Sequence, residues 1–368
     1  MAQKQQPMLS PHLPWKLRLL LSIHSFAVNN SLNSNGTVNR TFLNLFDLKS
    51  SPSKNPINGV KSFDITVDPS RELWFRLYTP TTNTTTATSL PIIIYFHGGG
   101  FTLMAANSKP FDKFCRRLAR GTPSIIVSVN YRLAPEHKYP CQYEDGFDVL
   151  KFIDEENLEH LPQNANLKQC FLAGDSAGGN IAHHVALKAS ESKFLKLQVI
   201  GLIALQPFFG GEERTESENK LDRAPVLKVE HTDWFWKAFL PEGSNRDHAT
   251  ANVFGPNSVD ISRVNFPATI VFVGGFDPLQ DWQKKYYEGL HKAGKEAYLI
   301  EYENAFHSFY VFPEFPEHSL MIEEVRDFMQ NQSCKWYYWS SYKTVFSGIG
   351  CMSVVTQQER KVGIVLWK

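Results

Sequence analysis

From residue 91 onward, short continuous apolar runs alternate with stretches in which apolar residues recur every three or four positions. The runs are 91–96 (PIIIYF), 124–129 (SIIVSV), 170–173, 199–205 (VIGLIAL), 268–273 (ATIVFV) and 297–302 (AYLIEY). Apolar along their whole length, they read as strands covered on both faces. Between them the spacing predicts helices over 111–120, 143–159, 177–189, 282–293 and 319–331. Such alternation implies an α/β fold: a mostly parallel central sheet with helices on both faces. Ahead of it, residues 62–78 divide into two strands around a Pro-Ser-Arg-Glu turn.

Three regions depart from this rhythm. Residues 1–60 combine polar, Asn/Ser/Pro-rich connections with one helical pattern that puts Leu17, Leu20, Leu21 and His24 on a single face. Residues 210–257 are charged and then aromatic, with Trp234, Phe235, Trp236 and Phe239 close together. They are expected to form an insertion over one edge of the sheet, as a cap or substrate wall. Residues 333–368 lack capping or turn logic and are expected to be an atypical, disordered or dispensable tail. The body of the fold is then 61–332, capped by the N-terminal segment and the insertion.

Composition narrows the function classes. A net charge of +1 gives no reason to expect nucleic acid as a partner. The five cysteines are scattered and contain no C-x-x-C pair, which argues against a disulfide framework and against a zinc site. Reduced thiols suit a cytoplasmic location. The apolar run near residue 20 is short and interrupted by Lys16 and Arg18, unlike a signal peptide. No stretch is long and apolar enough for stable insertion in a bilayer.

The candidate chemistry begins at Gly174-Asp175-Ser176-Ala177-Gly178, a G-x-S-x-G pattern lying between an apolar run and a helical pattern. A strand–turn–helix context is what this motif requires to expose a nucleophilic serine, here Ser176. The helix N-terminus that follows favours developing negative charge. Upstream, His97-Gly98-Gly99-Gly100-Phe101 directly follows a strand. Consecutive glycines let backbone N–H groups turn toward a substrate oxygen, so Gly98, Gly99 and Ala177 are the expected oxyanion donors, each contributing about 3 kcal/mol. The serine needs a base and an orienting acid in the order Ser…Asp…His. His307 follows the run 297–302, whereas His318 opens a helix and is expected to be solvated. Asp277 follows the run 268–273 in Gly274-Gly275-Phe276-Asp277-Pro278, with Asp281 as the alternative acid. Phe101, Asp175, Phe208, Phe209, Trp234, Trp236 and Phe309 are candidates for the substrate pocket.

Taken together, HGGGF (97–101), NYRLAPEHKYP (130–140), GDSAGGN (174–180), GFDPLQD (275–281) and FHSFYVFP (306–313) resemble the hormone-sensitive-lipase-like group of α/β-hydrolases, and within it the plant class-I carboxylesterases. The resemblance spans about residues 10–332. It implies hydrolysis of a small-molecule carboxylic ester, no metal or cofactor, and a cap to which the N-terminal segment contributes. It also implies that Arg132 and Glu136 brace the loop beside the sheet, with His137 and Tyr139 as scaffold. The gibberellin receptors resemble the same family but lose the histidine and usually carry serine at the third loop glycine. Here His307 and Gly100 are both present, so an esterase is the leading expectation, ahead of a hormone receptor or an acyltransferase using the same triad.

Overall fold

A computed structural model of the chain describes residues 11, 13–81, 89–155, 161–222 and 224–345, with side chains as far as 337. An N-terminal pair of helices, α1 (Trp15–Ser31) and α2 (Arg40–Asn44), precedes the hairpin β1 (Val60–Asp68) and β2 (Leu73–Pro80). The alternating body then runs β3 (Leu90–Phe96), α3 (Lys109–Gly121), β4 (Ile125–Asn130), α4 (Cys141–Glu155), β5 (Ala165–Asp175), α5 (Ala177–Ser190) and β6 (Val199–Leu205). After it come α6 (Glu216–Lys220), α7 (Val229–Phe239), β7 (Ala268–Phe276), α8 (Gln280–Lys292), β8 (Ala297–Phe306) and α9 (Pro316–Val345).

Among the described residues, eight strands form one sheet in the order β1-β2-β4-β3-β5-β6-β7-β8. The β1–β2 and β2–β4 pairs are antiparallel, and every later pair is parallel. The mostly parallel sheet is therefore the one the apolar runs predict. Strand periodicity divides its side chains between two cores. Ile92, Ile94 and Phe96 join α4, α5, α7 and α8 on one face. Ile93 and Tyr95 join α3 and α9 on the other.

Several boundaries differ from expectation. The buried stripe of α1 is Leu17, Leu21 and Val28, a face that also carries His24, while Leu20 points outward. An i, i+4 pair packs on the protein, and Leu20, one residue round the helix, does not. The last helix does not stop near 331 but continues to Val345, so the start of the expected tail prolongs α9; residues 346–368 lie outside the described residues. His318 is buried rather than solvated, its Nδ1 hydrogen-bonded to the Tyr310 carbonyl. The 210–257 insertion joins β6 to β7, which are inner strands. It lies over the C-terminal ends of the strands, with Phe239 of α7 stacked on Phe101 at 3.8 Å. Among the described residues no helix is long and apolar enough to cross a membrane.

One side chain clamps the N-terminal segment to the loops after β3 and β4. The Arg40 guanidinium donates to the carbonyls of Thr102 and Ala134 and pairs with Glu136. Arg132 is held separately, by a two-pronged contact with the buried Asp145 carboxylate. The half-exposed Arg40–Glu136 pair contributes less than about 1 kcal/mol by itself. Each charged donor on a partly buried carbonyl contributes about 1.5–3 kcal/mol. Arg40→Ala is therefore expected to lower stability in urea unfolding by about 2 kcal/mol or more, and Glu136→Ala by less than about 1 kcal/mol.

Candidate active site

The parallel strands end at one level, and polar residues follow them. Phe276 of β7 pairs in register with Phe306 of β8, so the next residues, Asp277 and His307, leave adjacent strands side by side. His307 Nδ1 lies 2.7 Å from Asp277 Oδ2, and both side chains are buried. A carboxylate can only accept, so Nδ1 carries a proton, and the neutral ring presents its lone pair at Nε2. Asp277 Oδ1 accepts the Leu279 N–H at 2.9 Å, while Oδ2 also receives the side-chain amides of Gln206 and Gln283 at 2.9 Å each. Asp281, the alternative acid, lies in the first turn of α8 and accepts the Ser217 N–H of the insertion at 2.8 Å.

Ser176 follows β5 in the same way and immediately precedes α5. Its backbone sits at φ +52° and ψ −119°, a region that costs a non-glycine residue about 1–3 kcal/mol. Backbone bonds on both sides hold it there: its N–H donates to Leu205 O at 2.9 Å, and its C=O accepts from Phe208 N at 2.8 Å. The turn thereby leaves Ser176 at the positive end of a 14-residue helix.

The glycine loop differs from expectation at Gly98. The N–H of Gly98 already donates to Asp175 Oδ1 at 2.9 Å, so this group is not free to bind a substrate oxygen. A side chain at Gly98 would meet Asp175 Oδ2 at 2.3 Å, and glycine is needed for that close approach. The next two glycines carry the turn, with φ of +111° at Gly99 and +60° at Gly100. Asp175 is accordingly a buried tie between elbow and loop rather than a pocket residue. Its carboxylate also accepts hydroxyl protons from Tyr95 and Tyr310. Burial pushes its pKa up to about 6, against the pull of those hydrogen bonds. His97 is buried against Tyr131, 4.3 Å between ring centroids, and burial lowers its pKa to about 4, which keeps the ring neutral.

The aromatic candidates separate. Phe101 and Phe208 share one cluster with Trp236 and Phe239 beside the glycine loop. Trp234 is half-buried and donates its indole N–H to Asn33 O of the N-terminal segment. Phe309 lies in the other core, across the sheet, packed on Tyr302 and Tyr310. Phe309 opens a short 3-10 turn, Phe309–Val311, after a left-handed Ser308, and it is this turn beyond β8 that carries it into the same core as Ala305 and Phe306. Gln206, Gln283, Tyr95 and Tyr310 escaped the sequence reading because they bear on the site only through partners 6 to 135 positions away. The usable signal was Gln206 itself, a polar residue one step past an apolar run.

A family model described as "alpha/beta hydrolase fold" matches residues 93–311. The chain is 40% identical over 334 residues to the gibberellin receptor GID1C of Arabidopsis thaliana, covering 88% of this chain and 96% of the receptor. It is 37% identical over 274 residues to carboxylesterase 20 of the same plant, covering 72% and 84%. A hyperthermophilic esterase from the archaeon Pyrobaculum calidifontis shares the fold, with a TM-score of 0.68 at 24% identity over 87% of this chain and 99% of the other.

Asp175 makes stability depend on pH in a definite direction. Its folded pKa is raised from an ordinary 3.8 to about 6, so between these values the folded form holds a proton that the unfolded chain has lost. This group's contribution is therefore largest at low pH and declines as pH rises through about 6. Compared with Asp175→Asn, the wild type is expected to lose up to about 3 kcal/mol over that window, read from urea midpoints across the pH range.

Proposed function

Because this chain belongs to the α/β-hydrolase family, we propose that it hydrolyses carboxylic esters of small to medium size by acyl transfer through Ser176. Ser176 Oγ attacks the ester carbonyl while His307 Nε2 takes its proton. Asp277 holds the imidazole in the required tautomer and stabilises the imidazolium. The oxyanion is bound by the N–H groups of Ala177 and Gly99, with Gly100 in place of Gly98, whose N–H is engaged by Asp175. His307 then returns the proton to the departing alcohol. Water, deprotonated by the same histidine, attacks the acyl-enzyme, releasing the acid and restoring Ser176. The aromatic cluster of Phe101, Phe208, Trp236 and Phe239 beside the loop favours a hydrophobic acyl or alcohol group.

The observation that carries this reading is the buried His307–Asp277 contact of 2.7 Å at the strand ends that also bear Ser176. A second reading, binding a small hormone without turnover, is favoured by the N-terminal segment. That segment docks on α7 through Asn29–His231 and Asn33–Trp234 contacts. The receptor GID1C match also covers more of the chain than the carboxylesterase 20 match, 88% against 72%.

Turnover of p-nitrophenyl acetate and longer esters distinguishes the two. The wild type is expected to be active, and Ser176→Ala and His307→Ala to fall by about 10⁴-fold or more in kcat. Activity that survives in Ser176→Ala sinks the esterase reading. An inactive wild type that binds a gibberellin tightly in calorimetry establishes the second.

A further inference from the structure

We propose that Gln206 is a positioning residue that locks the acid and the base of this site into one frame with the nucleophile. The proposal rests on the reading of Ser176, Asp277 and His307 as a triad. It begins from the strand ends. β5, β6, β7 and β8 are consecutive neighbours in the sheet, and each ends one residue before a polar side chain: Ser176, Gln206, Asp277 and His307. Three of the four carry the proposed chemistry. The fourth, fully buried, lies between them.

Its side chain reaches the acid and both neighbours of the base. The Gln206 Nε2 donates to Asp277 Oδ2 at 2.9 Å and to the Phe306 carbonyl, just before His307, at 3.2 Å. Its Oε1 accepts the N–H of Ser308, just after His307, at 2.8 Å. The neighbours fix the amide's orientation, because Ser308 N–H can only donate while the carboxylate and the carbonyl can only accept. One side chain thus holds the acid and both flanks of the base. On the main chain, the preceding residue, Leu205, accepts the N–H of Ser176, and Gln206 N–H itself donates to Phe272 O of β7.

The fold gives up local comfort to keep this arrangement. Gln206 sits at φ +45°, where side chains other than glycine are disfavoured. Beside it, Gly274 leaves the room the amide occupies: a side chain there would meet Gln206 Nε2 at 2.7 Å.

The chemistry follows from Asp277 Oδ2 serving three donors, His307 Nδ1, Gln206 and Gln283. The amides share the carboxylate's charge and limit how strongly it holds a protonated imidazole. Removing one leaves the carboxylate a stronger partner for imidazolium, so the base is neutralised only at higher pH. Gln283 has this electronic effect alone, since its amide touches the acid but not the His307 loop in these contacts. Gln206 has both effects.

The test compares Gln206→Met with Gln283→Met on p-nitrophenyl acetate, together with the low-field NMR resonance of the His307 Nδ1 proton. Both variants are expected to move the acidic limb of kcat/KM upward by about half a pH unit and to shift that proton downfield. Only Gln206→Met is expected to lose a further 10- to 100-fold in kcat, at nearly unchanged KM, through misplacement of the base by about an ångström or less. Equal kcat losses in the two variants, or an unmoved limb and resonance in Gln206→Met, overturn the proposal. If Gln206→Met does not fold, Gln206→Glu replaces it. Its carboxyl still accepts from Ser308 but donates to Asp277 only while protonated, so its kcat/KM is expected to fall as pH rises where the wild type is flat. A wild-type-like profile overturns the bridging role. The proton resonance is read without substrate, so a wild type lacking esterase activity would refute the hydrolase reading while leaving Gln206 testable.

Discussion

At Ser176 a residue with a side chain is held at φ +52°, and much of the C-terminal edge of the sheet is arranged around keeping it there. Left to itself the turn would relax, since the conformation costs about 1–3 kcal/mol. It persists because both of its peptide groups are committed, one to Leu205 O and the other to Phe208 N. Leu205 closes β6, an inner strand fixed on both sides by parallel pairing, and Phe208 follows it by three residues. The turn therefore inherits the rigidity of the sheet rather than of a loop. A serine positioned in this way needs little reorganisation to reach a bound carbonyl.

The polar groups around that turn form a buried network in a region where an unmatched donor or acceptor is expensive. Asp175 ties the elbow to the glycine loop through Gly98 and is itself satisfied by the hydroxyls of Tyr95 and Tyr310. Asp277 is satisfied by the Leu279 N–H, two glutamine amides and His307. The two carboxylates differ in kind. Asp175 meets only neutral donors, which suits a structural tie. Asp277 meets an imidazole that can become charged, which suits the acid of the triad proposed here.

Outside this network, the N-terminal segment and the insertion cover the same end of the sheet. Arg40 grips the carbonyls of Thr102 and Ala134, while Asn29 and the Asn33 carbonyl meet His231 and Trp234 on α7. Phe235 of α7 leaves no room for a side chain at Gly100, whose Cβ would lie 2.4 Å from the ring. Helix α7 and the glycine loop are thus packed against each other, so a change in either is transmitted to the backbone proposed to bind the oxyanion.

The sequence by itself determined what depends on local pattern. Six apolar runs with helical stretches between them implied a mostly parallel, doubly covered sheet, because full burial demands apolar residues on both strand faces. Strand-end positions made Ser176, Asp277 and His307 the natural candidates, and Asp277 and His307 do meet, through the Phe276–Phe306 register. Tertiary structure decided everything that turns on which groups are already occupied. Gly98 looks like its neighbours in sequence, yet its N–H is taken by a carboxylate 77 residues away. Phe309 and Phe101 are both aromatic residues near site motifs, but they lie in different cores. Gln206 is an unremarked polar residue until the strand order sets it between acid and base. Hydrogen-bond occupancy and facing depend on partners far along the chain, and local spacing carries no record of them.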